Sequence, residues 1–220
     1  LAEEERQARE AATAAKQQQR EAKQESDALI RARAANALLD HEIQLKTAGA
    51  DIEERLADGR LSHDQAGQAY AAALKNIQPP KMEGMDPVTS ENFAKGVKRL
   101  EFGTFAGVQR AAEKAKRAEF KGQTDLALDQ LGKLAGMPGS DIDQINSKAD
   151  ALDQFGTAAY GQNWAKTKQD FKDRNWMNHA TQRAMESRDS LPAIRALENE
   201  LTAKDGFYAN RLDTEKRNAV

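Results

Sequence analysis

The chain has 220 residues, 31% of them charged with both signs mixed, a net charge of −2 and no cysteine. The missing cysteines exclude disulfides and thiolate sites, and the near-neutral charge argues against a dedicated nucleic-acid binder. No apolar run approaches the ~20 residues that cross a bilayer, so no transmembrane segment is predicted.

Strong helix formers fill the chain, which has 40 alanines but only 36 isoleucine, leucine, valine and phenylalanine residues together. No stretch alternates apolar and polar side chains as a half-buried strand does. We therefore predict an all-α fold of long helices and helical hairpins in an elongated bundle, without a β-sheet. The scarcity of large apolar side chains favours helices that bury narrow stripes, partly against other subunits.

Residues 1–48 contain no glycine or proline and predict one long, polar N-terminal helix. Its second half carries a stripe of side chains three to four positions apart: Ile30, Ala34, Ala37, Leu38, His41 and Leu45. Its first half has an alanine face that is either solvated or packed against a partner: Ala8, Ala11, Ala12 and Ala15. Without sustained leucine or isoleucine at heptad positions a and d, we expect no self-sufficient two-stranded coiled coil.

Residues 49–77 predict a helical hairpin. Gly49 is a plausible stop for the first helix. A capping box predicts the start of the second arm of the hairpin, with Ser62 as N-cap and Gln65 three residues later. Residues 78–88 hold the clearest break, because prolines cannot lie inside a helix, and we place a linker and domain boundary there: Pro79, Pro80, Gly84 and Pro87.

Residues 89–220 predict a multi-helix domain. Its first long helix is interrupted near Thr124, which we interpret as a new N-cap. Glycine and proline at 136–139 predict a turn, and a second long helix is predicted over 142–188. After a further helix that starts near Pro192, a last helix is predicted to begin at Phe207.

Three histidines are the candidates for a metal site on helices: His41, His63 and His179. A di-iron site in a helical bundle needs a glutamate three residues before each histidine, but Leu38, Arg60 and Trp176 occupy these positions. The zinc motif HExxH is absent as well. We therefore predict structural roles for the histidines, no catalytic, cofactor-binding or metal-binding residues, no cofactor, and a protein that is not an enzyme.

Two stretches faintly match catalytic or phosphate-binding motifs. Glu186 and Ser187, followed by Pro192, resemble the Glu-Ser…Pro stretch of lytic transglycosylases, but the aromatic residue after Glu-Ser and the later Gly-Leu-Met-Gln are missing. A polar helix end, a Ser190 cap and a helix-starting proline explain the stretch better. Residues 103–107 lack the Gly-Lys-Ser/Thr of a P-loop, so their glycines are expected to serve helix packing.

Two basic stretches could contact nucleic acid. The first has five cations: Arg110, Lys114, Lys116, Arg117 and Lys121. The second places cations among Trp164, Phe171 and Trp176: Lys166, Lys168, Lys172 and Arg174. Basic and aromatic side chains together can hold single-stranded nucleic acid. The alternative is a solvated charged face with the aromatic rings in the core, and it remains open at this point.

Residues 170–220 resemble the internal virion, or ejection, proteins of short-tailed bacteriophages. The resemblance is carried by Arg-Ala-Leu-Glu-Asn-Glu-Leu at 195–201 and Leu-Asp-Thr-Glu-Lys-Arg-Asn-Ala-Val at 212–220, where a short helix is followed by a Leu-Asp-x-x-x-Arg helix start. It implies a non-catalytic structural module that oligomerises into a conduit for DNA delivery. It also implies a location in the virion interior and, after ejection, in the host cell envelope.

The partners expected from this resemblance are other copies of the chain, the portal and other internal virion proteins, with weak non-specific DNA contact. The alternative is a capsid scaffolding protein or another coiled-coil adaptor. Because residue 1 is leucine and no helix stop lies near Val220, we expect the chain to be a fragment of a longer protein.

Overall fold

The computed structural model describes residues 2–220, without the side chains of Ala2, Glu4, Glu5 and Ala8. Ala8 of the predicted alanine face therefore lies outside the described side chains. No strand occurs in residues 2–220, and the predicted all-α fold with long helices is confirmed. Its α-helices are α1 (Ala2–Ala57), α2 (Ala66–Asn76), α3 (Pro87–Ala135), α4 (Ile142–Asp150), α5 (Asp153–Tyr160), α6 (Trp164–Ser187), α7 (Leu191–Thr202) and α8 (Thr214–Asn218).

The chain divides into two compact units, Leu1–Ala115 and Lys116–Val220. The proline and glycine segment 78–88 therefore lies inside the first unit and does not separate two domains as predicted. The physical reason is that Met82 and Met85 pack against the apolar cluster of Ala34, Phe93 and Val97.

The predicted end of the first helix near residue 48 is wrong, because α1 continues to Ala57. Gly49 is buried within this helix, and a Cβ atom there would lie 2.8 Å from Thr104 Cγ2 of α3. The glycine thus lets the two helices approach closely and does not end α1. Gly59, with a φ of +76°, turns the chain after α1 instead.

The core of the first unit joins α1, α2 and α3. Ile52 and Leu56 of α1 pack with Tyr70 of α2 and Val108 of α3. The Tyr70 hydroxyl donates a 2.7 Å hydrogen bond to the carbonyl of Glu101, which fixes α2 against α3. The predicted stripe of α1 is partly buried, with Ala34, His41 and Leu45 inside.

The predicted capping box at Ser62 does not form. The Ser62 side chain accepts no hydrogen bond from the following backbone amides, and its hydroxyl donates to Asp64 Oδ1 at 2.5 Å. A single 3₁₀ turn, His63–Gln65, comes first, and α2 begins only at Ala66.

In the second unit, the predicted helix break at Thr124 is absent. Thr124 is 1% exposed inside α3, and its hydroxyl donates a 2.7 Å hydrogen bond to the Phe120 carbonyl one turn earlier. A threonine that satisfies its hydroxyl in this way stays in the helix interior and caps nothing.

The predicted single helix over 142–188 is also wrong, because it is divided into α4, α5 and α6. Gly161, with a φ of +58°, reverses the chain between α5 and α6. This turn brings the Trp164 indole onto Gly156, where a Cβ atom would overlap the ring. Trp164 Nε1 then donates a 2.7 Å hydrogen bond to Asp153 Oδ1, which holds α5 against α6.

The C-terminal segment differs from the predicted helix starting at Phe207. Residues 207–212 form turns, because Tyr208 and Leu212 are both buried in the core of the second unit. Helix α8 starts later, where Asp213 Oδ1 accepts a 2.8 Å hydrogen bond from the Lys216 amide as an N-cap. The core that holds this segment also contains Ile142, Ile145, Ala149, Phe171, Trp176 and Leu197.

Candidate functional site

The N-terminal half of α1 is the least buried part of the described structure. Every described side chain from Glu3 to Leu29 is exposed, and the first buried residue is Ala34. Side-chain pairs one turn apart support the helix, such as Arg6 with Glu10 at 3.2 Å. Such pairs contribute only about 0.2–0.5 kcal/mol each, so packing against another surface would add most to its stability.

An exposed row of apolar and small side chains follows α1, and we name it the α1 seam. Its members lie at separations of three, four or seven positions, which places them on one side of the helix. They are Ala11, Ala15, Ala22, Leu29, Ala32, Leu39 and Ile43. Leu29, Leu39 and Ile43 are 52%, 54% and 55% exposed, on the side opposite the buried Ala34 and Leu45.

His41 lies in the core of the first unit and is 2% exposed. Neither of its ring nitrogens has a hydrogen-bond partner among the described atoms, and Glu101 Oε1 lies 3.7 Å from Nε2. His63 is half-buried in the 3₁₀ turn before α2. His41 and His63 belong to the first unit and His179 to the second.

His179 belongs to an aromatic cluster in the second unit. Its Nδ1 lies 2.8 Å from the hydroxyl of Tyr208, a fully buried residue. Burial lowers the pKa of His179, and the positive charge of Arg183 lowers it further. Arg183 itself pairs with Glu200 of α7. The contact between His179 and Tyr208 thus holds the C-terminal segment against α6. The lowered pKa keeps the imidazole neutral at pH 7.

Arg211 also holds the C-terminal segment in place. Its guanidinium lies 4.1 Å from the Phe207 ring centre and 4.8 Å from that of Trp176. Its Nη2 also donates a 3.0 Å hydrogen bond to Asp143 Oδ2 of α4. A cation stacked on aromatic rings and paired with a carboxylate explains why this otherwise irregular segment is ordered.

A cleft of about 480 Å³ lies between α3 and α6 in the second unit. Its lining includes Asp125, Leu128, Asp129, Phe171, Arg174 and Asn178. Asp125 accepts hydrogen bonds from Tyr160 and, at 2.9 Å, from Lys121. These bonds, that of Tyr160 most strongly, lower the pKa of Asp125 and keep it ionised. The Tyr160 bond also ties Asp125 of α3 to the end of α5.

Two cations of the second basic stretch form ion pairs within the second unit. Lys168 Nζ contacts Asp153 at 2.6 Å and Asp150 at 3.0 Å, and Lys172 contacts Asp150 at 2.7 Å. These hydrogen bonds, led by that of Lys172, lower the pKa of Asp150. The aromatic residues of the stretch, Trp164, Phe171 and Trp176, are buried and offer no stacking surface. The aromatic rings thus lie in the core, as the alternative interpretation predicted, whereas Lys168 and Lys172 are half-buried in ion pairs.

The cations of the first basic stretch are all exposed on α3. Arg110 and Lys114 belong to the first unit, and the other three belong to the second. Lys121 is paired with Asp125, and Lys116 lies 5.7 Å from the Phe120 ring centre.

The weak transglycosylase match lies at the end of α6. Glu186 Oε1 accepts a 3.0 Å hydrogen bond from Gln182 one turn earlier, and α6 ends at Ser187. Pro192 lies at the start of α7, as predicted, but the Ser190 side chain makes no capping hydrogen bond. The stretch is thus a helix end followed by a helix start.

The glycines of α3 behave differently from one another. A Cβ atom at Gly107 would lie 3.4 Å from Glu53 Oε1, and one at Gly96 would lie 3.3 Å from Leu38 Cδ1. Both glycines face a side chain of α1, and the packing role predicted for the glycines of residues 103–107 fits Gly107. At Gly103 a Cβ atom would meet nothing within 4 Å, so the packing prediction is wrong there.

Neither a metal-binding cluster nor a membrane-spanning helix occurs among the described parts of residues 2–220. No group of three or more histidine, aspartate or glutamate side chains is arranged to hold a metal ion within that range. No described helix combines the length and apolar character that a membrane span requires.

The apolar part of the α1 seam was not predicted from the sequence. Ala11 and Ala15 belong to the predicted alanine face, but Leu29, Leu39 and Ile43 do not, because the stripe through Leu45 accounts for the apolar content of the helix. The sequence signal for the α1 seam is that several of its residues lie seven positions apart. Comparisons with protein-family models, with characterised proteins and with solved structures give no match to this chain.

Proposed function

We propose that this chain is a non-catalytic structural module that self-associates into a homo-oligomer through the α1 seam. We further propose that it is part of an internal virion, or ejection, protein of a short-tailed phage and that its oligomer contributes to a conduit for DNA delivery into the host. The observation that carries the proposal is the exposed apolar seam on a helix whose described side chains from Glu3 to Leu29 are all exposed.

Helix stability supports self-association. An isolated helix in water is marginal even with many alanines, and most helical stability in proteins comes from packing. Leu29, Leu39 and Ile43 would gain burial in a helix–helix contact, and the small side chains of Ala11, Ala15 and Ala22 would permit close approach. With so few large side chains in the seam, we infer an assembly of several helices and not a simple pair.

The resemblance at 195–201 and 212–220 supports the phage assignment. From it we propose a location in the virion interior and then the host envelope. The portal and other internal virion proteins are proposed partners. Weak, non-specific DNA contact belongs to the same role, since a conduit exposes its inner surface to DNA.

A capsid scaffolding protein or coiled-coil adaptor is the second candidate, because the same seam suits an elongated dimer. Stoichiometry distinguishes the two candidates. A scaffold would give an elongated dimer, whereas a conduit module would give a larger, discrete oligomer.

Size-exclusion chromatography with light scattering tests the proposal. We expect a discrete mass several times the 24.2 kDa of one chain. The double variant Leu39→Lys, Ile43→Lys should shift this mass toward the monomer, because charges in the seam cannot be buried without partners. The matched control is Gln24→Lys, Gln44→Lys, which adds two charges to exposed positions of α1 outside the seam. A monomer at all concentrations, or equal effects of both double variants, would contradict the proposal.

A further inference from the structure

The outer face of α3 in the first unit carries a row of cations. We name it the α3 basic face, formed by Lys98, Arg99, Phe102, Gly103, Arg110 and Lys114, all exposed. Residues 99, 103, 110 and 114 are separated by four, seven and four positions and therefore share one line along the helix. At ~1.5 Å per residue, Arg99 and Lys114 lie about 22 Å apart along the axis.

The cations of this face have no carboxylate partner. Lys98, Arg99 and Lys114 make no ion pair and no side-chain hydrogen bond with any described residue. Arg110 Nε donates a 3.2 Å hydrogen bond to the Ala106 carbonyl and leaves its two amino groups free for a ligand. By contrast, Lys95 on the same helix is paired with Glu91 at 2.6 Å.

Two carboxylates occur in the same segment of α3. Glu101 approaches His41 and is turned toward the core, whereas Glu113 is exposed beside the cations. Four cations against one exposed carboxylate leave a clear positive excess. A chain with a net charge of −2 therefore concentrates positive charge at this face.

Phe102 lies among these cations and is 73% exposed, the most exposed of the large hydrophobic side chains in the described chain. Gly103 follows it, and a Cβ atom there would meet nothing within 4 Å. A glycine inside a helix costs about 1 kcal/mol relative to alanine, and here no neighbouring segment explains it. The exposed Phe102 ring therefore lies next to a position that has no side chain.

We propose that the α3 basic face binds single-stranded nucleic acid without reading its sequence. Lys98, Arg99, Arg110 and Lys114 contact phosphates, and an unstacked base lies on the Phe102 ring. An acidic peptide would satisfy the cations alone, whereas a nucleic-acid strand uses both the cations and the ring. The inference rests on the proposed function for the DNA contact, and it is independent of self-association through the α1 seam.

Fluorescence anisotropy with labelled oligo-dT of about 20 nucleotides, and with a duplex of equal length, tests the proposal. We expect tighter binding of oligo-dT than of the duplex, because only an unpaired strand offers a free base. About four phosphate contacts predict a slope of about −3 for log affinity against log salt.

Variants of the full chain separate charge from stacking. Arg110→Glu with Lys114→Glu should lower affinity at least about tenfold at low salt and flatten the salt dependence. Phe102→Ala should lower affinity about tenfold and leave the salt slope unchanged. The matched control is Arg31→Glu with Arg33→Glu, which reverses two exposed, unpaired cations of α1 and should change affinity little.

Four results would overturn the proposal: no binding of oligo-dT at low salt, equal losses in the α3 and α1 charge variants, unchanged affinity in Phe102→Ala, and equal binding of polyglutamate. The solution mass of each variant separates this test from that of self-association. Loss of binding at an unchanged mass assigns the effect to the α3 basic face. An unmodified chain that is monomeric and still binds oligo-dT would leave this inference standing and the assembly proposal refuted.

Discussion

The space around a single residue decides whether a glycine is required at two positions of the second unit. Gly156 is the clearest example, since the Trp164 indole occupies the space where a side chain would lie. Gly122, within α3, has open space around the position of a Cβ atom. Gly156 therefore has no room for a side chain, whereas Gly122 has room for one, and the sequence alone does not distinguish the two positions.

Gly156→Ala should destabilise the protein by about 1–3 kcal/mol, because the indole must move or α5 must shift. Gly122→Ala is the matched control and should stabilise the protein by about 0.4–1 kcal/mol, because it stiffens the unfolded chain and removes no contact. Urea unfolding followed by circular dichroism measures both. A neutral Gly156→Ala variant would refute the close packing of Trp164.

His179 gives the stability a defined pH dependence. Its pKa is lowered from the ordinary value of 6.5, chiefly by burial, so the unfolded chain binds a proton at a higher pH than the folded chain does. Stability therefore falls as the pH drops below about 6.5 and is fully present above that value. His179→Gln should show a smaller loss of stability between pH 7 and pH 5 than the unmodified protein. Identical pH profiles would show that the imidazole is equally basic in both states.

Local signals predicted the elements whose ends are set locally. Pro192 marks the start of α7, and the glycines and proline at 136–139 mark the turn that follows α3. Elements set by distant contacts were not predictable. Gly49 could end a helix or admit a neighbour, and the choice depends on Thr104 of another helix.

The same limit applies to the candidate surfaces. The alanine face of α1 and the cations Arg110 and Lys114 were visible in the sequence. The exposure of Phe102 and Leu39 was not, because apolar residues on a helix are usually placed in its core stripe. Exposure depends on which helix faces find partners, and that is a property of the tertiary structure.

Helices α4 and α6 are joined by a buried amide pair. Asn175 Nδ2 donates a 2.9 Å hydrogen bond to Asn146 Oδ1, with the two side chains 2% and 6% exposed. Asn175→Leu leaves the Asn146 amide buried without its partner and should cost about 1–3 kcal/mol.

The double variant Asn146→Leu, Asn175→Leu should recover much of that loss, because no polar group is then left unsatisfied. A double-mutant cycle from urea unfolding measures the coupling. Strictly additive costs would show that the two amides do not depend on each other.

At the scale of the whole chain, the buried apolar side chains lie in two compact units, and the α1 seam lies outside both cores. The core of the first unit is formed by α1 from Ala34 onward, α2 and the part of α3 before Lys116, and the core of the second unit is formed by the elements that follow. Neither core includes the exposed part of α1 from Glu3 to Leu29. A partner surface for this part of α1 is the central feature of the proposed assembly.

Hydrogen–deuterium exchange at high and low protein concentration tests self-association through α1 most directly. Residues 45–57 of the same helix, which are packed in the first unit, serve as the internal reference. We expect the amides of residues 9–29 to exchange slowly at high concentration, near the level of that reference, and quickly after dilution, because packing in the oligomer protects them. Fast exchange of residues 9–29 at every concentration would contradict the assembly of this chain through α1.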